Sequence, residues 1–208
     1  MNIFEKIKRE IVLRKISSYK EIEGWLTKNE AYGLFKYSSL VPNNGLVVEI
    51  GSWKGKSTYC LAKGLSKGKI FAIDPFDASG ETGSDKIYLE QRGKTPLLDQ
   101  FNDKMKSLGV SDTIIAKVGC SDKFLNDFEK IDFLFIDGDH SIKGCDFDFN
   151  NYSSKIVNGG YIVFHDYFGD RNDLGPTWVV KNRLIGNENY QFIGLYDSLW
   201  VAKKVCNN

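Results

Sequence analysis

This chain contains only two histidines, and each follows a short apolar run beside aspartates: IDFLFIDGDH sets Asp137, Asp139 and His140 together, and YIVFHD sets His165 next to Asp166. An imidazole titrates near neutral pH and paired carboxylates hold protons or cations, so the set can supply a general base, a divalent metal site, or both. A second constellation lies upstream. In EIGSWKGKST, Glu49 to Thr58, the residues Gly51, Gly55, Lys56 and Ser57 imitate a phosphate loop. Three residues separate the two glycines, whereas a triphosphate-cradling loop needs four to wrap its N–H groups around the β-phosphate. A dinucleotide loop fits poorly too, because Ser52 and Trp53 stand where its second glycine lets pyrophosphate approach the backbone.

A third reading adds two acids. Glu49 precedes the E-x-G-x-x-x-G turn, and Asp74 ends the next apolar run twenty-three residues after Gly51. An acid there can accept both ribose hydroxyls of an adenosine, while the glycine turn admits a ligand without pyrophosphate close to the backbone. S-adenosylmethionine is such a ligand.

Five apolar runs must position these groups: LVVEI (46–50), KIFAID (69–74), TIIAKVG (113–119), IDFLFID (131–137) and YIVFHD (161–166). They alternate with helical stretches, one starting near Lys56, after two helical stretches at the N-terminus. That rhythm predicts an α/β fold, a Rossmann-like doubly wound sheet, mostly parallel, with helices on both faces. Asn158-Gly159-Gly160 reads as a turn that closes a helix ahead of the fifth strand. YQFIGLYDSLWVAKK breaks the rhythm and predicts a C-terminal antiparallel hairpin turning at Asp197 and Ser198. Ligands of open α/β sheets bind at the carboxyl ends of the strands, where Asp74, Asp137, His140, His165 and Asp166 all fall.

These residues resemble the class I S-adenosylmethionine-dependent methyltransferases, most closely the small-molecule O-methyltransferase branch that includes catechol and antibiotic-sugar enzymes. The resemblance runs from Gly24-Trp25-Leu26 to the final hairpin, and VVEIGSWKGKSTYCLA is its most specific segment. It implies a single methyltransferase domain over residues 1–208, with a helical segment at 1–40 and a Rossmann-like core at 41–208. By position, Glu49, Gly51, Ser52, Trp53 and Gly55 form the cofactor loop with Ser57 near the methionine carboxylate, Asp74 is the ribose acid, and Ser121 with Asp122 is the adenine turn. Asp137, His165 and Asp166 take the place of the magnesium ligands, although imidazole suits softer metals than magnesium. His140 stands where catechol enzymes carry a lysine base. Catalysis is expected from His140 and Asp137: His140 as base with Asp137 orienting substrate or metal, or Asp137 itself as base, as in the antibiotic-sugar members. The expected reaction is O-methylation of a small-molecule or sugar hydroxyl. A nucleotide-binding loop using Lys56 and Asp137, or a cofactor fold recruited as an interaction module, are the competing readings.

With 28 basic and 27 acidic residues the formal charge is +1, which supplies no global field for nucleic acid or an anionic membrane. Cys60, Cys120, Cys145 and Cys206 form no C-x-x-C pair and are expected as buried free thiols of a cytoplasmic protein. In MNIFEKIKREIVLRK, Ile3, Phe4, Ile7, Ile11 and Val12 recur at helical spacing between basic residues, so no stable membrane insertion is expected. That stripe is expected to pack on its own domain or on a second copy in a homodimer. Residues 76–98 and 167–176 are long enough to act as lids over the acceptor.

Overall fold

The computed structural model describes residues 3–79 and 85–205. Helices α1 (Ile3–Lys15) and α2 (Lys28–Ser38) precede the alternating part of the chain: β1 (Gly45–Ile50), α3 (Lys56–Gly64), β2 (Gly68–Asp74), α4 (Asp85–Arg92), α5 (Leu97–Ser107), β3 (Ile114–Val118), β4 (Ile131–Ile136), α6 (Ile142–Tyr152) and β5 (Ile156–Phe164). Helix α7 (Gly175–Val179) runs into a π turn over Val180–Leu184, and the hairpin β6 (Tyr190–Tyr196) and β7 (Leu199–Lys204) ends the chain. The sheet order is β3-β2-β1-β4-β5-β7-β6. β1 to β5 pair in parallel, and β7 joins antiparallel to both β5 and β6. The order reverses between β1 and β4, which opens the crevice at their carboxyl ends.

The central strands bury both faces. Val47, Phe133, Phe135 and Val163 pack under α2, α3 and α5, while Val48, Leu134, Ile136 and Ile162 pack under α6 and α7. Such runs are apolar throughout because neither face meets water. A capping box starts α2: Thr27 accepts from the Glu30 N–H, and the Glu30 carboxylate accepts from the Thr27 N–H at 2.7 Å.

Several expectations need correction. Asn158-Gly159-Gly160 lies inside β5, not before it. Ile131 pairs with Ile156 and Phe133 with Tyr161, so the glycines form a bulge that absorbs extra residues without ending the strand. Cys60 and Cys145 are buried as expected, but Cys120 is exposed, because it follows β3 at the carboxyl end of the sheet, where the chain opens onto a cavity. Cys206 lies outside the described residues. On α1, Leu13 is buried and Val12 packs on the core, while Ile3, Phe4, Ile7 and Ile11 are exposed, so only the Val12 end of that stripe packs on its own domain. No helix among the described residues is long and apolar enough to cross a membrane.

Candidate functional site

The glycine loop is wedged between strand ends. Gly51 has φ +89°, and a Cβ there would sit 2.0 Å from the Asp137 carbonyl oxygen. Its N–H donates to the Ile73 carbonyl at 2.9 Å, and the Asp137 N–H donates to Ile50 at 2.8 Å. Only glycine meets both the backbone angle and the approach. Gly55, also left-handed at φ +88°, packs its Cα face on Met105 and Phe101 where α3 begins.

Two carboxylates organise this turn. Glu49 is fully buried and accepts from the hydroxyls of Ser52 at 2.9 Å, Ser57 at 2.5 Å and Thr58. Burial pushes its pKa up to about 7, against the lowering effect of those three donors. Asp74 Oδ2 accepts from the N–H groups of Ser52 at 3.0 Å and Trp53 at 2.8 Å, and Oδ1 accepts from Phe76 at 2.6 Å. Burial raises its pKa despite those bonds. A carboxylate offers about four acceptor sites, so Asp74 retains room for about one more donor. Lys56, the residue that would reach a phosphate in a nucleotide loop, donates instead to the Gly24 carbonyl at 2.7 Å, and Lys54 ties Glu23 and the Gln91 carbonyl together, each at 2.6 Å.

The candidate acid–base groups meet at the ends of β4 and β5. His140 Nε2 lies 3.4 Å from Asp137 Oδ1 and 3.3 Å from Asp166 Oδ2. His165 Nδ1 lies 3.2 Å from Asp137 Oδ1 and 3.4 Å from Asp166 Oδ2. Asp166 adopts φ +55°, a left-handed turn that brings its carboxylate back over the strand end. Ligand atoms of Asp137, His140 and Asp166 all lie within 4.8 Å of one another. Burial alone would lower the pKa of His165, but the Asp137 charge, with the carboxylates of Asp166 and Glu30 also beside the ring, raises it well above the ordinary value. Burial would raise Asp137, yet the two imidazoles hold it near 2, the His165 charge contributing most.

One cavity of about 940 Å³ joins these parts. Gly51, Ser52, Trp53, Ser57, Asp74, Ser121, Asp122, Asp137, His140, His165 and Asp166 line it. Glu49 and Gly55 do not: they shape the loop from beneath, because a buried acid with three hydroxyl donors faces away from the opening. From the first proposed lid, Ala78, Ser79, Ile87 and Tyr88 reach the cavity, and the segment contains α4. The second, residues 167–176, lines none of it, because Phe168 is folded back onto Thr177 by two hydrogen bonds of 3.0 Å.

The sequence reading assigned no role to four contributors. Trp25 and Tyr88 close one wall, with Tyr88 edge-on to Trp25 at 5.2 Å and to Trp53 at 4.9 Å. Asp148 on α6 lines the cavity and accepts from Ser121 Oγ at 2.5 Å, with burial raising its pKa to about 7. Glu30 approaches His165 from behind: its Oε2 is 3.2 Å from His165 Nε2. The T-x-x-E spacing of Thr27 and Glu30 marked a helix cap, and nothing local marked the acid's second partner.

Sheet order, glycine loop and the acid ending β2 define the fold class of the class I S-adenosylmethionine-dependent methyltransferases. A family profile described as "Methyltransferase domain" matches residues 48–167, and the chain belongs to that family. It is similar to the O-methyltransferase TomG of Streptomyces achromogenes, solved in complex with SAM, at 16% identity and a TM-score of 0.65, covering 94% of this chain and 90% of that one. An O-methyltransferase of Bacillus cereus in complex with SAH matches at 15% identity and a TM-score of 0.64, covering 95% and 90%. An uncharacterized protein of Acanthamoeba polyphaga mimivirus is 31% identical over 120 residues, 58% of this chain and 50% of that protein. The chain therefore spans about half the length of the curated relative it matches.

Proposed function

We propose that this chain is an S-adenosylmethionine-dependent O-methyltransferase acting on a hydroxyl of a small molecule or sugar, with all of residues 1–208 working as one domain. The observation that carries the reading is the single cavity in which the loop, Asp74 and the Asp137–His140–His165–Asp166 cluster face one another. The sulfonium cofactor supplies an electrophilic methyl group. Gly51, Ser52 and Trp53 would hold its methionine end with Ser57 nearby, Asp74 would accept a ribose hydroxyl through its remaining lone pair, and Ser121 with Asp122 would border the adenine.

The chain's own task is to hold an acceptor oxygen in line with the methyl carbon and take its proton. His140 Nε2 is the base. That nitrogen would take the acceptor's proton, and Asp137 and Asp166, at 3.4 and 3.3 Å, would stabilise the resulting imidazolium. His165, at 4% exposure, is too enclosed to reach an acceptor and holds the two carboxylates in place. A divalent metal on Asp137, Asp166 and His165 would lower the acceptor's pKa as a Lewis acid. Trp25, Tyr88 and Ile87 supply an apolar wall to the cavity.

Calorimetric titration with S-adenosylmethionine, S-adenosylhomocysteine and ATP tests the cofactor half. The first two bind, ATP does not, and Asp74→Ala abolishes binding. Binding of ATP alone overturns the reading. Transfer of radiolabelled methyl to a panel of sugars, catechols and other alcohols tests the acceptor half, and labelling confined to amines or carbon acids overturns O-methylation.

A further inference from the structure

The residues at the β4 and β5 ends do not form the all-oxygen set that magnesium prefers. Asp137 Oδ1 and Asp166 Oδ2 each lie within 3.4 Å of His165 Nδ1, at 3.2 and 3.4 Å. Adjacent ligands around an ion bound at about 2.1 Å stand roughly 3.0 to 3.4 Å apart, so both separations are those of neighbouring ligands on one ion. Magnesium and the first-row transition dications are similar in radius, and donor chemistry separates them: magnesium takes oxygen and water, whereas imidazole favours manganese, iron, cobalt or zinc.

The far side of His165 supplies a second, independent observation. Its Nε2 faces Glu30 Oε2 at 3.2 Å, off the line of a full hydrogen bond, and has no other partner among the described residues. Glu30 is 3% exposed and is itself fixed: Thr27 N–H donates to Oε2 at 2.7 Å, and Oε1 accepts from the Ser198 N–H at 3.0 Å and the Ser198 hydroxyl at 2.7 Å. Helix α2 and the β6–β7 turn thus hold a carboxylate behind the ring. An imidazole that keeps its proton on Nε2, toward such a carboxylate, presents a lone pair at Nδ1, here aimed between Asp137 and Asp166. Metal-ligating histidines are oriented in this way, by a carboxylate on the nitrogen that does not bind the ion.

We propose that Asp137, Asp166 and His165 form a site for one first-row transition-metal dication in preference to magnesium, and that Glu30 is the positioning residue that locks His165 in its ligating tautomer. The inference rests on the metal-assisted form of the function above and adds the class of ion and the residue that selects it. His140, at the rim, keeps its role as base.

The test uses the full chain, stripped with chelator and titrated separately with Co²⁺, Mn²⁺, Zn²⁺ and Mg²⁺ by calorimetry, with visible absorption of the Co²⁺ complex as a readout independent of activity. One equivalent of Co²⁺ binds at least tenfold more tightly than Mg²⁺ and gives a band showing nitrogen ligation. Glu30→Gln weakens Co²⁺ binding by about 10- to 100-fold and alters the band. Because Glu30 also caps α2, a second variant leaves it intact: His165→Asp restores an all-oxygen set and shifts preference toward Mg²⁺. Equal or tighter binding of Mg²⁺ by the parent chain, no binding of any dication, or a Co²⁺ band unchanged in both variants overturns the proposal. S-adenosylmethionine is titrated in parallel: if it binds while no dication does, only the metal site is defeated, whereas failure of both ligands defeats the methyltransferase reading itself.

Discussion

Glu30 and His165 form a buried pair at the carboxyl edge of the sheet, with 3.2 Å between Oε2 and Nε2 and neither side chain more than 5% exposed. Through this contact helix α2 becomes part of the candidate site. The capping carboxylate of α2 reaches past its own helix to the end of β5.

Removing the charge from Glu30 should therefore be costly. Breaking a buried pair leaves His165 uncompensated, and Glu30→Gln is expected to destabilise the metal-free protein by about 3 kcal/mol near pH 6. The pH dependence has a definite sign. Burial would raise the Glu30 pKa, but His165, the Thr27 N–H and Ser198 lower it from 4.5 to about 2. The stabilisation is present above about 4.5 and is lost as pH falls through 2. Urea unfolding of parent and variant at pH 6 and pH 2.5 checks this, and the gap should shrink at the lower pH.

Asp148 works in the opposite direction. Burial raises its pKa from 3.8 to about 7, so the folded protein binds a proton that the unfolded chain has released, and stability falls as pH rises from about 4 to 7. Asp148→Asn keeps an acceptor for Ser121 Oγ and removes the ionisation. The variant should match the parent near pH 4 and exceed it above pH 7 by on the order of 2 kcal/mol. Thermal melts across that range measure the difference.

His140→Ala should separate chemistry from cofactor binding. Loss of a positioned general base costs about 10²- to 10⁴-fold in turnover. Calorimetry should find S-adenosylmethionine affinity within about twofold of the parent, because His140 interacts with Asp137 and Asp166 and lies apart from the Asp74 turn.

Gly51→Ala tests whether the loop is held by packing. A Cβ at 2.0 Å from the Asp137 carbonyl oxygen and a φ of +89° demand a backbone shift. The variant is expected to lose more than about 2 kcal/mol of stability. Its S-adenosylmethionine affinity should fall as well, because the same shift moves the Ser52 and Trp53 N–H groups off Asp74. Denaturant midpoints and calorimetry report the two effects separately.

Asp74→Asn probes the acid that ends β2. An amide can serve only part of the three N–H donors of Ser52, Trp53 and Phe76, and its NH₂ group repels whichever donor it faces. S-adenosylmethionine affinity should drop by at least about tenfold, with the larger loss for Asp74→Ala.

The sequence by itself determined the parallel order of elements, the glycine turn, the acid at the end of β2 and the placement of both histidines at strand ends. Each is a local pattern: apolar runs of strand length, a turn needing positive φ, and polar residues where a run stops. It also showed that Lys56 and Ser57 imitate a phosphate loop without its spacing. Only tertiary structure decided that Glu49 lies beneath the loop and Asp74 laces it shut, since those roles depend on which hydroxyl and N–H groups the fold turns inward. The bulge at Asn158-Gly159-Gly160 could not be told from a turn, because glycine permits both and only pairing with β4 chooses. The Glu30–His165 contact lay furthest from reach. It requires a helix cap, a strand end and a hairpin turn to meet in space, where the pairing of two buried charges offsets the cost of desolvating each, a property that no single segment of the chain possesses.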